Sequence, residues 1–380
     1  MDFTLSTEIQ DLQKMFYDFS QKEVKPLAHE IDRDHRFPTE TIEKMRDLQL
    51  LGIPYPEELG GAGMNTLTYA IAVEEVSRAC GSTGIILAAH TSLGAWPIYA
   101  FGTDEQKKKY LTKLASGEYL GSMGLTEPNA GSDAAGMASY AEDKGDHYLL
   151  NGSKIFITNA AYAGSFVIIC LTEKNVGTKG ISALILEKGM PGFTVGKEED
   201  KMGLHGSSTC ELNFDNVKVP KENLLGKEGE GFHIIMKTLD GGRISIGAMA
   251  LGIAQGAVDE AIKYTAQRVQ FGKRISQFQN TQFELADMQT EVDAARMLVY
   301  RAACLKDAGE PYTIEAAMAK YYASKISTQT ALRALQLAGG YGYTTEYPFE
   351  RMVRDAKLCE IGEGTSEIQK LVISRAMGVK

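Results

Sequence analysis

The sequence predicts an α+β protein, mainly helical, with a helical segment, then a β segment, then a second helical segment. Three observations predict it. From Leu5 to about Gly117 apolar residues recur at three- and four-residue steps among charges. Between about Tyr119 and Leu225 short β-type runs alternate with turn clusters. From Gly231 the helical period returns in long segments with few breakers.

In the first segment, Ile9, Leu12, Phe16, Phe19 and Val24 mark one helical face, and Pro38–Thr39 opens a second helix through Ile42, Met45 and Leu48. The breaker-rich stretch Leu51–Gly63 reads as a loop. Helices resume at Ala70–Ser77, Ile85–Leu93 and Thr103–Leu111. The β runs are Tyr148–Leu150, Lys154–Thr158, Phe166–Cys170, Ile181–Leu186 and Glu211–Phe214. Turns at Asn151–Gly152–Ser153 and Lys188–Gly192 separate them, which predicts a small antiparallel sandwich or barrel. No G-x-G-x-x-G follows a strand, so a nicotinamide site of the Rossmann kind has no support. Ile244–Tyr264, Gln282–Ala308 and Thr313–Ala338 predict the long helices of an up-and-down bundle, whose faces also suit burial against another subunit.

Composition narrows the function. The chain has 380 residues and a net charge of −9, which argues against nucleic acid, because phosphate binding needs basic clusters. Five isolated cysteines predict free thiols in a reducing cytoplasm, and the histidines lack paired metal-ligand spacing, so no metal is expected. Met1–Thr4 opens no signal peptide, and the chain ends Gly378–Val379–Lys380 rather than in a peroxisomal S-K-L. The uncharged stretch Ala79–Thr103 is broken by Ser, Thr, His, Gly and Pro and is read as too polar for a membrane span.

Five short segments carry chemistry. In Ile361–Lys370 a carboxylate, Glu363, stands between two glycines ahead of a Thr/Ser pair and a helical pattern. Thr365 or Ser366 can cap that helix, and the glycines let another molecule approach the backbone. The segment reads either as the mount of a catalytic base or as a plain helix start. Leu125–Asp133 offers hydroxyls and backbone amides for a heterocycle edge and a phosphate, or is a polar inter-domain loop. Arg268–Lys273 offers an Arg for a diphosphate and an aromatic for a ring, or is a helix–helix turn. Gln336–Gly342 permits close approach of a bulky group, or is a C-cap. Leu239–Arg243 precedes a long helix, with Asp240 as its cap and Arg243 in its first turn.

In their order along the chain, these segments make it resemble the acyl-CoA dehydrogenases, most closely the short-chain, butyryl-type branch. Leu125–Thr126–Glu127–Pro128 with Gly131–Ser132–Asp133 is similar to one family signature; Gln336–Gly342 with Glu363–Gly364–Thr365–Ser366 is similar to the other. Arg268–Phe271–Gly272–Lys273, Glu346–Tyr347–Pro348 and Arg354–Lys357 match as well. The resemblance implies the family's fold: an N-terminal helical domain (1–118), a middle β domain (119–228) and a C-terminal four-helix bundle (229–380). It implies FAD as cofactor, an acyl-CoA substrate, electron-transferring flavoprotein as acceptor and a homotetramer.

Residue by residue, Glu363 matches the base that takes the Cα proton while Cβ delivers hydride to flavin N5. Met123, Leu125, Thr126, Gly131 and Ser132 match the segment along the isoalloxazine and diphosphate, with Ser132 also on the substrate side. Phe156 and Thr158 match the pair beside the ring; many relatives carry Trp at the first position. Thr365 and Glu367 match positions near the adenosine, and Arg268, Phe271, Gln336, Gly339 and Gly340 match a set given to a neighbouring subunit. Asp240 and Arg243 match residues near CoA, and Gly364 keeps the base's turn tight. His90 and Thr91 fall in a segment lining the acyl pocket, as packing or as polar contacts.

Two departures matter. Some branches hold the base on the helix after Leu239–Arg243, but here that position is Gly242, next to Gly241. Short-chain relatives usually carry Tyr at Gly362, so the expected substrate is wider than butyryl, branched or alicyclic. An acyl-CoA oxidase and a catalytically silent flavin- or CoA-binding scaffold are the alternative readings.

Overall fold

The computed structural model describes residues 4–379. Met1–Phe3 and Lys380, on which the readings of both chain ends partly rest, lie outside the described residues. The N-terminal part holds α1 (Thr7–Phe19), α2 (Ala28–Asp34), α3 (Thr39–Asp47), α4 (Thr66–Ala79), α5 (Gly81–Ala89), α6 (Trp96–Phe101), α7 (Asp104–Gln106) and α8 (Thr112–Ala115). Polar side chains start these helices where the sequence supplies them. Asn65 accepts the Thr68 N–H at 2.8 Å, and Thr103 with Gln106 forms a reciprocal capping box.

A π-helical turn, His90–Ala95, joins α5 to α6. The resulting stretch Gly81–Phe101 contains an 18-residue window with a mean hydropathy of 1.2 and is long and apolar enough to cross a membrane, contrary to the sequence reading. Yet 72% of that window is buried inside the protein, which is how a core helix behaves.

The middle part is one eight-stranded sheet: β1 (Leu120–Gly124), β2 (Tyr140–Asp143), β3 (His147–Thr158), β4 (Ala163–Leu171), β5 (Ile181–Glu187), β6 (Phe193–Glu198), β7 (Thr209–Pro220) and β8 (Leu224–Leu225). The order is β6-β7-β3-β2-β4-β5-β8, with β1 on β4. Two expectations fail here. The sheet is open, with path ends at β6 and β8, so no barrel closes. Nor is it purely antiparallel: β1, entering from α8, lies parallel to β4 with Met123 opposite Val167. Asn151–Gly152–Ser153 is not a turn but an irregularity inside β3, where the register against β7 slips between Leu150 and Gly152.

β4 and β5 are buried on both faces, which explains their unbroken apolar runs. Val167, Ile169, Ile181 and Ile185 pack toward Leu111, Leu114 and Ile234. On the other face Phe166, Ile168, Leu184 and Leu186 meet Leu150, Leu212 and Phe214.

The C-terminal part contains α9 (Gly231–Gln267), a short hairpin of β9 (Val269–Gln270) and β10 (Lys273–Arg274), α10 (Gln279–Asp307), α11 (Thr313–Ala338), α12 (Phe349–Ile361) and α13 (Ser366–Ala376). α9 to α12 pack together, α13 lies on α11, and α9 also runs against α4. Leu239–Arg243 was expected to precede a helix, with Asp240 capping it; it lies instead inside the 37-residue α9. The Gly241–Gly242 pair does not end the helix, because burial of the surrounding turns outweighs the glycines' weak propensity.

Candidate active site

The Ile361–Lys370 segment links α12 to α13. Gly362 ends α12, its N–H donating to the Leu358 carbonyl at 2.8 Å. Glu363 and Gly364 then take consecutive left-handed conformations, φ +53° and +92°. Thr365 is the N-cap of α13, accepting the Ile368 N–H at 3.3 Å. This reversal turns the Glu363 side chain back against α9. Its Oε2 is sealed from solvent and, among the described residues, has no hydrogen-bond partner. The atom lies over Gly242, where an added Cβ would overlap it; Leu93 stands on the same side. Gly242 is thus the floor that a carboxylate at position 363 requires.

Burial pushes Glu363 up to about 7, against the opposing charges of Lys320 and Arg243. Arg243 is itself engaged: its Nη1 binds Asp240 Oδ1 at 2.5 Å, and Asp240 Oδ2 accepts from Thr313 at 2.6 Å. A carboxylate that is desolvated, uncommitted and raised toward neutral pH is equipped to take a proton from a weak carbon acid.

A second group forms around β3. The register against β7 slips between Lys154 and Ile157, and Phe156, at φ +58°, is thrown outward with 61% of its surface exposed. A bulge re-aiming one side chain is a common device beside active sites. The Ile155 N–H donates to the Thr126 carbonyl at 2.9 Å and Lys154 Nζ to the Leu125 carbonyl at 3.0 Å, so the Leu125–Ser132 loop and Phe156 are neighbours. Glu127 anchors that loop, accepting from Lys154 at 2.6 Å and from the Ala138 and Ser139 amides at 2.6 and 3.0 Å. Gly131 and Ser132 are exposed, with nothing within 4 Å of where a Gly131 Cβ would stand. Met123 and Thr158 flank the group on β1 and β3.

The third group is Arg268, Phe271, Gln336, Gly339 and Gly340. The Arg268 guanidinium lies 5.3 Å from the Tyr341 ring, joining the hairpin to the turn after α11. Phe271 is 93% exposed, Gln336 is exposed, and among the described residues nothing beyond the chain neighbours stands within 4 Å of a Cβ at Gly339 or Gly340. Among the described residues, no hydrogen bond, ion pair or ring contact joins this hairpin to the Leu125–Ser132 loop.

His90 and Thr91 are buried, and their polar atoms are committed to backbone. His90 Nε2 meets the Leu114 carbonyl at 3.2 Å, Nδ1 accepts the Gly121 N–H at 2.9 Å, and Thr91 donates to Leu51 at 3.3 Å. Burial lowers His90 to about 4, so the ring is neutral packing. Of the two roles open to this pair, packing is the one their bonds support.

Sequence reasoning missed Lys320 and Gln369, which both reach the Gly364 carbonyl, at 2.6 and 2.9 Å. A trace was present: Lys320 sits on the stripe Ala316, Ala319, Ala323, Ser327, a small-residue face where a lysine is out of place. It also missed the hydroxyls of Tyr69, Ser92 and Ser245, which meet at the Ala88 and Gly242 carbonyls.

Comparison with known proteins decides the family. The N-terminal, middle and C-terminal domain profiles of acyl-CoA dehydrogenase match residues 6–118, 122–217 and 229–378. The chain belongs to the acyl-CoA dehydrogenase family. It is therefore an oxidoreductase of that family, similar over its whole length to "Acyl-CoA dehydrogenase, short-chain specific" of Clostridium acetobutylicum: 55% identity over 98% of this chain and 99% of the relative. The butyryl-CoA dehydrogenase structure from Megasphaera elsdenii superposes with a TM-score of 0.97 at 48% identity, covering 99% of this chain and 100% of that one. A chain from work on the electron transferring flavoprotein of Acidaminococcus fermentans and flavin-based electron bifurcation superposes with a TM-score of 0.98 at 53% identity, covering 99% of each. The arrangement also fits the family's flavin: an outward-facing aromatic ring, a pinned loop with open glycine and serine, and an exposed glycine pair, Gly339–Gly340, that backbone-close contact could use.

Proposed function

We propose that this acyl-CoA dehydrogenase oxidises short acyl-CoA thioesters to 2,3-enoyl thioesters, with Glu363 as the base and room for a branched or alicyclic acyl group. One observation carries the reading: Glu363 presents a buried, unpartnered Oε2 above a glycine floor. That atom removes the Cα proton. The backbone N–H of Glu363 hydrogen-bonds the thioester oxygen as negative charge develops, a contribution of several kcal/mol in comparable oxyanion holes. When bound, FAD would supply the acceptor for the hydride leaving Cβ, with electron-transferring flavoprotein as the onward acceptor. Met123, Leu125, Thr126, Gly131, Ser132, Phe156 and Thr158 would hold the FAD ring and diphosphate, with Thr365 and Glu367 toward the adenosine. Arg268, Phe271, Gln336, Gly339 and Gly340 would hold the flavin of a neighbouring subunit in a homotetramer, a reading that the bare Phe271 supports. Asp240 and Arg243, mutually paired, act on the CoA side by ordering the wall beneath it. The five unpaired cysteines accord with a cytoplasmic setting.

The width of the acyl pocket rests on Gly362. Among the described residues a Cβ there would meet nothing closer than Leu358 at 3.6 Å, an ordinary contact, so crowding does not force the glycine and a side chain in its place would take up room. The test is anaerobic flavin bleaching with butyryl-, isobutyryl- and cyclohexanecarboxyl-CoA. We expect bleaching with the wider substrates at least as efficient as with butyryl-CoA; a clear butyryl preference removes the width argument. Glu363→Gln should stay yellow and fail to bleach, and retained turnover would refute its assignment. Rapid reoxidation by oxygen instead of the flavoprotein would favour an oxidase.

A further inference from the structure

We propose that Lys320 is a positioning residue for the base: together with Gln369 it clamps the Gly364 carbonyl and so aims the Glu363 carboxylate without pairing with it. The proposal rests on reading Glu363 as the base. Lys320 is fully buried on α11, and its Nζ lies 2.6 Å from the Gly364 oxygen. Gln369, equally buried on α13, donates to the same oxygen at 2.9 Å. Two helices thus grip one carbonyl from different directions.

The gripped peptide directly follows the strained pair. Glu363 is a non-glycine residue in the left-handed region, followed by another left-handed residue, and such a pair does not hold itself. A Cβ at Gly364 would come within 2.8 Å of Gln369 Nε2, so the grip also requires glycine there. Gln369 Nε2 also lies 3.5 Å from the Glu363 carbonyl, so the same side chain reaches the preceding peptide, and the two held carbonyls limit the direction in which the Glu363 side chain leaves the turn.

The choice of partner is informative. A buried ammonium ordinarily takes a carboxylate. Around Lys320 stand Glu363 on the turn, Cys359 and Glu360 on α12, and Arg243 on α9. Among the described residues Lys320 forms no ion pair with either Glu; Glu360 is taken by Lys357 at 3.0 Å and Thr328 at 2.5 Å. Burial pushes the Cys359 thiol up to about 12, so it is neutral. A direct Lys320–Glu363 ion pair would tie up the base. Binding the neighbouring carbonyl instead places the cation where it favours the carboxylate through space and leaves Oε2 free.

The experiment uses the full-length, FAD-loaded enzyme and two variants, Lys320→Met and Lys320→Gln. Two readouts are taken: the anaerobic flavin-reduction rate with butyryl-CoA from pH 6 to 9, and amide hydrogen exchange across residues 360–369. For Lys320→Met we expect a 10- to 100-fold slower reduction with a nearly unchanged KM. Its acid limb should move upward by roughly one pH unit as the cation is lost, and exchange should be at least tenfold faster, confined to the turn. Lys320→Gln keeps a donor without charge, so it should retain most of the protection yet show the same acid-limb shift. Should the Met variant fail to fold, the Gln variant alone decides: an unmoved acid limb overturns the proposal. Wild-type exchange and a wild-type acid limb in Lys320→Met also overturn it, as does a general loss of protection with the acid limb in place. If Glu363→Gln retains turnover, the base assignment falls by itself, while the exchange data still report on the clamp.

Discussion

Glu127 and Glu363 are both carboxylates withdrawn from solvent, and each has a buried lysine nearby, yet they are treated in opposite ways. Lys154 binds Glu127 directly, and two backbone amides complete its shell. Burial would raise Glu127, but the ion pair and hydrogen bonds override it and hold the group below the usual carboxylate range. Lys320 instead binds a carbonyl, leaving Glu363 Oε2 with no donor, and burial prevails. The first glutamate is spent on holding a loop. The second is kept available. What separates structure from chemistry here is where the neighbouring cation puts its hydrogen bond.

The largest effect should come from breaking the satisfied pair. Glu127→Leu strands the Lys154 charge and two amides, and we expect a loss of about 3–5 kcal/mol in chemical denaturation. Adding Lys154→Met should recover much of it. At Glu363 the sign reverses. Its pKa in the folded protein, about 7, lies above the ordinary 4.5, so its favourable contribution is complete below 4.5 and is lost as pH rises through 7. Glu363→Gln should therefore stabilise the protein at pH 8 by about 1–3 kcal/mol and leave pH 4.5 nearly unchanged; a destabilised variant at pH 8 would show that the carboxylate is paired after all. Next in size, Gly242→Ala fills the space against Oε2 and should lower kcat/KM by about tenfold with no loss of bound flavin, a cost near 1.4 kcal/mol. Smallest, Thr365→Ala removes the α13 cap and should cost about 1 kcal/mol of stability, measured as a shift in denaturation midpoint.

Much of this contrast was open to inspection in the sequence, and some was not. Glu363, its glycines and the Thr365 cap are local features, so ten consecutive residues reveal them. The three-part plan was legible because helical and strand periods differ. Asp240–Arg243 was misplaced because two adjacent glycines look like a breaker, while their reason, contact with a residue more than a hundred positions later, is tertiary. Asn151–Gly152 looked like a hairpin turn for the same local reason, but β7 continues opposite it and makes it a bulge. Lys320 escaped because a single lysine on a helix is ordinarily solvated, and the small-residue stripe that hints at an inward face does not say which carbonyl it reaches.

The length of α9 has a mechanical consequence. The helix carries Gly242 beneath the base and, past its last residue, Arg268 at the foot of the exposed hairpin. At 1.5 Å per residue it acts as a ruler of about 39 Å between those two points. It is also a dial, because each residue turns its successor by about 100°. Inserting or deleting one residue between Gly242 and Arg268 would barely alter the distance, but would swing Phe271 a quarter-turn away from its present bearing.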